Sequence, residues 1–409
     1  MTNRGIKTAV KTDIDLETAI RLIVENITRL EAVEMPLADA NGLVLDKETV
    51  APLDQPPFAR SPLDGYAFKA GDSIGASANE PVTLRIVDKL YAGGWCEKTV
   101  DSGEAVRLMT GAMIPDGCDC VIRQEDTDQG ADAVKIYREL RPFANYCYQG
   151  EDYQKGESLL AAGTVLTPAA AALCASMGCA TVRVARKPRV SVFSTGDELA
   201  EPGDALRPGT IYSSNAVYLV ARLREMHAEV LLPEIIGDSK GALADRIGKA
   251  ASVSDLIVTT GGVSVGEKDL VRKVLESLGA EVVFHGIAMK PGSPALFAKY
   301  KGALVLALSG NPFAAFASFE LLTRPLFAVL TGNRDLLPQR FTATLATDFN
   351  KASAGRRFIR GKYADGRVFL PNGHSNGHLR SLVGCNCFVD IPAGSGRLQA
   401  GESVAIVLL

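Results

Sequence analysis

The stretch DLIVTTGGVSVGEKDLVRKVLESLG (255–279) decides the fold. Residues 256–259 are a short run of apolar and β-branched side chains of strand length, Gly261 and Gly262 open a loop after it, and residues 268–278 read as a helix. The same unit repeats on either side. Upstream, residues 189–193 form a β run, 194–198 a loop, 215–226 a helix with Ser213 or Ser214 as its cap, 231–236 a strand and 240–252 a helix. Downstream, residues 282–288 and 303–308 are strands, and 313–330 is a long apolar helix. Strands alternating with helices over 187–331 predict a doubly wound, largely parallel sheet with helices on both faces. Ligands of such sheets bind beyond the carboxyl ends of the strands.

The flanks have a different texture. Leu16, Ala19, Ile20, Ile23, Ile27 and Leu30 predict a helix over 15–30, with Asp13 or Asp15 as its cap. From 36 to 147 the chain turns to short β runs (82–87, 105–109, 120–123, 133–137) broken by Gly, Pro and Asp, which predicts a small β domain. Residues 150–184 are mixed and include an Ala-rich helix over 168–177 that stops at Gly178, a residue type that takes positive φ without strain. Beyond Pro338 the β texture returns, at 341–346, 358–363, 367–370 and 403–409. Four units are therefore expected: an N-terminal linker of residues 1–35 and 148–186, an inserted small β domain (36–147), a central α/β domain (187–332) and a C-terminal β-barrel-like domain (333–409).

Bulk properties agree with a multidomain globular protein. A single core seldom grows beyond ~250–300 residues, and this chain has 409. Its composition, 47% hydrophobic and 22% charged, excludes global disorder, and a net charge of −3 argues against non-specific nucleic-acid binding. The first fifteen residues lack the apolar core of a signal peptide, and no window has the ~18 uninterrupted apolar residues of a membrane helix, so a soluble cytoplasmic protein is expected. The eight cysteines include no CxxC, and the four histidines are scattered, which favours reduced thiols over a metal cluster.

Chemistry concentrates in three loops of one design: residues 194–198 (STGDE), 259–266 (TTGGVSVG) and 308–312 (LSGNP). Each leaves a strand through glycine, which lets the backbone approach a phosphate closely, and a following helix offers free N–H groups and the positive end of its dipole. Pro312 suits the first turn of the helix it opens. No GxxxxGK[ST] occurs, so this is not a P-loop. Glu198 and Asp269 follow two of these loops and Asp238 ends a strand; such acids suit Mg²⁺ bridged to phosphate, although Asp269 is also placed to cap its own helix. Lys290, between prolines in MKPGSP (289–294), suits an oxyanion. Asp64, before a glycine, and Asp152, in GED (150–152), read alone as turn residues.

Eight segments in order resemble the molybdopterin molybdenumtransferase family, which includes bacterial MoeA and the gephyrin E domain. They are PPFARSPLDGYA (56–67), RLMTGAMIPDGCDCVIRQED (107–126), GEDYQKGE (150–157), VSVFSTGDEL (190–199), PGTIYSSN (208–215), TTGGVSVGEKDLV (259–271), AMKPGSPALFA (288–298) and LSGNPFAAFASFELLTRP (308–325). The resemblance implies four domains in an elongated subunit, and a homodimer whose active site lies between the α/β domain of one subunit and the β domain of the other. It also implies the reaction: adenylylated molybdopterin and molybdate give molybdenum cofactor and AMP, with Mg²⁺. No adenylyltransferase domain is visible, so a separate adenylyltransferase would supply the substrate.

Carried over by position, Gly261, Gly262, Ser264 and Gly266 would hold the nucleotide and phosphates, with Thr195, Gly196, Asn311 and Pro312 of the neighbouring loops as further substrate contacts. Glu198 and Asp269 would hold Mg²⁺; Asp64, Asp152, Asp238 and Asp269 match acidic positions the family needs. Lys290 and Ser293 would face molybdate with an arginine of RRFIR (356–360), Arg356 or Arg360, and Ser381. The chain departs from the family at Ser293, where KPGKP is usual, at Arg60–Asp64 (RSPLD for the usual NSAMD), and at Ser309, where proline is usual. Loss of a cation at 293 leaves tungstate handling open. A clustering scaffold and an unrelated nucleotide-dependent hydrolase are the rival readings. The retained acids, Lys290 and the glycine loops count against the first, and the PPF…DGYA and GED segments against the second.

Overall fold

The computed structural model describes residues 10–263 and 269–409; Ser264 and Gly266 lie outside them. At its centre is a seven-stranded sheet in the order Lys11–Ile14, Glu281–Ile287, Leu296–Tyr300, Ala303–Leu308, Leu256–Thr260, Arg189–Thr195, Glu229–Ile236. Only Leu296–Tyr300 runs against the others. The central strands are buried on both faces, and alternate residues feed two cores. Val190, Val192, Leu256, Val258, Leu304 and Leu306 pack on one face against helices Leu16–Glu25, Ser214–Glu225 and Pro312–Thr331. Phe193, Ile257, Val305 and Ala307 pack on the other against Lys240–Ala250 and Leu270–Ser277. At roughly 1.5–3 kcal/mol per buried large aliphatic or aromatic side chain, these two layers are the main source of the domain's stability.

Helix Pro312–Thr331 is apolar all round because it lies in the core. It is long and apolar enough to cross a membrane, yet 94% of its most apolar window is buried inside the protein. Its two charged residues are matched locally. Glu320 accepts from the Tyr218 hydroxyl at 2.5 Å and from Arg222 at 2.7 and 2.9 Å, and Arg324 donates to the carbonyl oxygens of Leu336 and Leu408.

Two expectations shift at the N-terminus. The helix stops at Glu25, where Asn26 caps it, rather than at 30, and Asp15 is the residue that caps its start, accepting from the Thr18 N–H at 2.7 Å. The strand Lys11–Ile14 pairs with Glu281–Ile287, so this segment joins the central sheet although its sequence groups it with the linker.

The remaining units are β structures. A five-stranded sheet runs Cys120–Arg123, Gly65–Phe68, Glu104–Leu108, Val82–Leu90, Ala133–Ile136, around Tyr66, Phe68 and Ile122. Between it and the α/β body, Ala32–Pro36 pairs with Thr181–Ala185 and Thr49–Val50 with Ser158–Leu160, over a core shared with helix Pro168–Ser176. The C-terminal strands Arg340–Leu345, Arg367–Phe369, Arg357–Ala364, Cys387–Ile391 and Ser403–Leu408 close into a barrel, which leaves no free sheet edge. Phe358 and Phe388 leave the barrel to join the core around Phe313 and Phe316, fastening it to the α/β body.

Candidate active site

From strand Arg189–Thr195 the chain runs through a helix to Glu229–Ile236 on one side; from Leu256–Thr260 it runs through a helix to Glu281–Ile287 on the other. The crevice between the carboxyl ends of these two central strands is therefore a topological switch point, where ligands of such sheets bind. It is built by close backbone approach. Gly261 has φ +86°, and a Cβ there would collide with the Thr195 carbonyl oxygen; one on Gly262 (φ +61°) would lie 2.9 Å from the Thr195 hydroxyl. A Cβ on Gly196 would strike the Glu198 carboxylate. Thr195, Glu198, Thr260, Gly310 and Pro312 line a small pocket of about 60 Å³ here, with Asn215 donating to the Gly310 carbonyl at 2.8 Å. The Ser213 hydroxyl, also in its lining, is buried with no protein partner.

The loop carrying Gly310 has a second side. Ser309 and Asn311 line a neighbouring cleft of about 380 Å³ together with Lys290, Ser293, Arg357 and His374. The Lys290 turn is stitched to the barrel: its N–H donates to the Arg356 carbonyl at 2.9 Å, and its carbonyl accepts from the Phe358 N–H at 2.7 Å. Gly292 is forced by packing, since a Cβ there would strike the Ser318 hydroxyl of the core helix. Among the described residues no Asp or Glu lines this cleft, so Lys290 and Arg357 give it an uncompensated positive charge.

The two arginines anticipated here are elsewhere. Arg356 is held by Glu17 (2.7 Å) and Asp390 (2.7 Å). Arg360 is fully buried under the cleft, 4.1 Å above the Phe313 ring, donating to the carbonyl oxygens of Gly373 and Ser375. Arg357 takes the lining position. Ser381 donates to the His378 carbonyl in an exposed turn and lines none of these clefts.

Ser293 and Pro294 are shared with a third cleft, of about 460 Å³, that contains Asp269, Arg272, His285 and Asp13. Asp269 caps helix Leu270–Ser277 through the Arg272 N–H and lies 3.6 Å from His285. Burial pushes its carboxyl above the usual range, which a bound cation would reverse. Glu198 and Asp269 belong to different clefts, and among the described residues no three His, Cys, Asp or Glu side chains gather as a metal cage. Mg²⁺ needs less, because it uses one or two carboxylates, waters and substrate phosphates, so the single hard oxygen donor of either cleft suits it, though the two carboxylates are not brought to one point. Asp238 follows strand Glu229–Ile236, and its N–H donates to Asp197.

Asp64 and Asp152 stand apart from these clefts. Asp64 ends the turn into strand Gly65–Phe68 and accepts from the Thr110 N–H at 2.7 Å and hydroxyl at 2.8 Å, contacts that hold its carboxyl below the usual range. Asp152 is exposed in a turn, its N–H on the Gln55 carbonyl. Neither lines the clefts of the α/β body. Sequence reasoning missed His374 and Asn376 as cleft residues; Ser309 was noted only as a departure within its loop, and Arg357 lay within a quoted motif without being singled out.

Comparison with known proteins agrees along the chain. Residues 14–178 match the family model of the MoeA N-terminal region (domains I and II), 191–328 that of the probable molybdopterin binding domain, and 342–409 that of the MoeA C-terminal region (domain IV). A molybdopterin molybdenumtransferase of Staphylococcus epidermidis is 34% identical over 402 residues, covering 97% of this chain and 96% of the relative. One of Staphylococcus aureus is 35% identical over 399 residues, covering 97% and 95%. A crystal structure of the molybdopterin biosynthesis MoeA protein of Pyrococcus horikoshii superposes with a TM-score of 0.84 at 32% identity, covering 97% of this chain and 99% of that one; a second gives 0.78 at 29%, covering 97% and 100%. With three family models in order and full-length relatives above 30% identity, this chain belongs to the MoeA family.

Proposed function

We propose that the chain is a transferase of molybdenum cofactor biosynthesis that inserts molybdate into adenylylated molybdopterin and releases AMP. One observation carries this: a single loop, 309–312, gives one side to the glycine-built pocket of Thr195, Glu198 and Thr260, and the other to the cationic cleft of Lys290 and Arg357. A phosphoanhydride in the first and an oxyanion in the second would stand on either side of one wall. Lys290 and Arg357 would hold the oxyanion, and the phosphates would enter the pocket that Gly196, Gly261 and Gly310 keep open beside Thr195, Thr260 and Glu198. Glu198, in the lining of that pocket, would hold Mg²⁺ together with waters and the phosphates, with Asp269 of the third cleft as the second candidate; the bound ion would neutralise charge developing on the leaving phosphate. The relatives' shared name, molybdopterin molybdenumtransferase, supports the transfer of molybdenum to molybdopterin.

Asp64 and Asp152, remote from the α/β clefts within one subunit, fit a homodimer in which they serve the partner's site. We place the enzyme in the cytoplasm, downstream of a separate adenylyltransferase. The test is AMP release from adenylylated molybdopterin with Mg²⁺ and either molybdate or tungstate. Release that requires molybdate and is lost in Asp269→Asn supports the reading. Release only with tungstate reassigns the anion, and none with either anion overturns the activity.

A further inference from the structure

The cationic cleft contains a titratable side chain to which the proposed reaction gives no part. His374 lines it, on the barrel segment between strands Arg367–Phe369 and Cys387–Ile391. The ring stands edge-on to Phe349, with centroids 5.5 Å apart and planes at 82°, and its Nδ1 is buried with no hydrogen-bond partner. The segment is fixed from behind. Fully buried Arg360 donates to the carbonyl oxygens of Gly373 and Ser375, and the Asn376 carbonyl accepts from the Phe313 N–H at 2.9 Å. Arg360 Nε and Nη1 also lack protein partners. A buried polar atom without a partner is uncommon enough to need an explanation; the Arg360 guanidinium has the Phe313 ring beneath it, whereas the His374 Nδ1, on a residue lining a cationic cleft, points to a ligand.

The charged groups acting on His374 are all cations: Arg360 and Arg357 on strand Arg357–Ala364, and Lys351 on the segment before it. Lys290 shares the cleft lining, and no carboxylate does among the described residues. The other nearby arginine, Arg356, is neutralised by Glu17 and Asp390.

We propose that His374 is a ligand of the oxyanion bound in this cleft, and that binding draws one proton from solvent onto its imidazole. The inference rests on the reading of the cleft as the oxyanion site. In the free protein, burial first and the three cations next hold His374 below its ordinary value of 6.5. A doubly charged tetrahedral oxyanion offsets the field of those cations and gives the ring N–H an acceptor, and both changes favour the imidazolium. His374 therefore has a higher pKa in the complex than in the free protein. Between the two values association takes up a proton, so affinity falls as pH rises through that window. It is flat and strongest below it, flat and weakest above it.

The experiment is calorimetric titration of the full chain with sodium molybdate, and with sulfate as a second dianion, between about pH 5 and 8 in buffers of different ionisation enthalpy. Any proton uptake by the anion itself is common to all variants and cancels in the comparison. Wild type takes up close to one proton within the window, where its Kd rises up to about tenfold per pH unit. His374→Gln binds more weakly and takes up none; His374→Lys, with a fixed charge, binds without pH dependence. Equal uptake in wild type and His374→Gln overturns the inference and leaves the cleft's assignment standing. Failure of wild type to bind either anion overturns that assignment, and the inference with it.

Discussion

Arg356 and Arg357 are adjacent in the chain, yet Arg356 ties helix Leu16–Glu25 to the barrel through Glu17 and Asp390 while Arg357 lines the cleft beside Lys290. The two alanine variants should therefore separate. Arg357→Ala removes a charge-assisted contact and should weaken molybdate binding about tenfold or more, with a stability cost confined to its hydrogen bond to the buried Ser353 hydroxyl. Arg356→Ala leaves Asp390, 8% exposed, with Arg340 alone and should cost about 1–3 kcal/mol of stability; the Glu17 arm is exposed and adds little. Calorimetric binding and denaturant melts of both proteins check this. Equal loss of binding in both would remove the distinction.

The crevice between the central strands depends on Gly261, which combines φ +86° with contact to the Thr195 backbone. Gly261→Ala meets both strain and collision and should lower stability by about 1–3 kcal/mol and abolish AMP release. Gly241→Ala, in helix Lys240–Ala250 with open space around the new methyl, is the control. It should stabilise by up to about 1 kcal/mol and leave turnover intact. Thermal melts and turnover of the two variants decide it.

Asp64 supplies a pH prediction. The Thr110 N–H, and then the Thr110 hydroxyl, favour its carboxylate, so the folded-state pKa lies below the usual 3.8. The contacts therefore stabilise the folded state above that value and are lost as pH falls through the folded pKa. Thr110→Val keeps the N–H and removes the hydroxyl, so the Asp64 carboxyl should titrate at a higher pH, yet still below that of an unfolded peptide. Carbon-13 NMR of the side-chain carboxyl measures this; an unchanged titration would show that the backbone contact acts alone.

Much of this fold was legible because period and punctuation were strong. The run LIVT (256–259) reads as a strand and is one, extended by Thr260, and Pro312 and Gly332 bracket the core helix. What escaped lacked such a signal. Lys11–Ile14 is four residues of mixed polarity, and only its pairing with Glu281–Ile287 makes it a strand. Leu296–Tyr300, which follows directly on the prolines of the Lys290 turn, was assigned no element. At the site, the glycines were legible because positive φ excludes most other residues. Which arginine of RRFIR faces the cleft was not, because that depends on Glu17, 339 positions away. His374 becomes a cleft residue only when Arg360 and Asn376 bring its segment against Phe313.

Ser293 provides the last prediction. It is exposed, and lies in the lining of both the Lys290 cleft and the cleft of Asp269 and His285. The turn that carries it is rigid: its carbonyl accepts from the N–H groups of Ile287 and Ala295, and Gly292 is packed on Ser318. A lysine at this position would add a charge to the Lys290 cleft without displacing a buried group, and the bound oxyanion would compete for it with the carboxylates of the Asp269 cleft. Ser293→Lys should therefore bind molybdate more tightly, by about threefold to tenfold at low salt, with the gain shrinking as ionic strength rises. Titration at two salt concentrations measures it. Unchanged or weaker affinity would mean that the turn does not face the bound anion, and would move the oxyanion site away from Lys290.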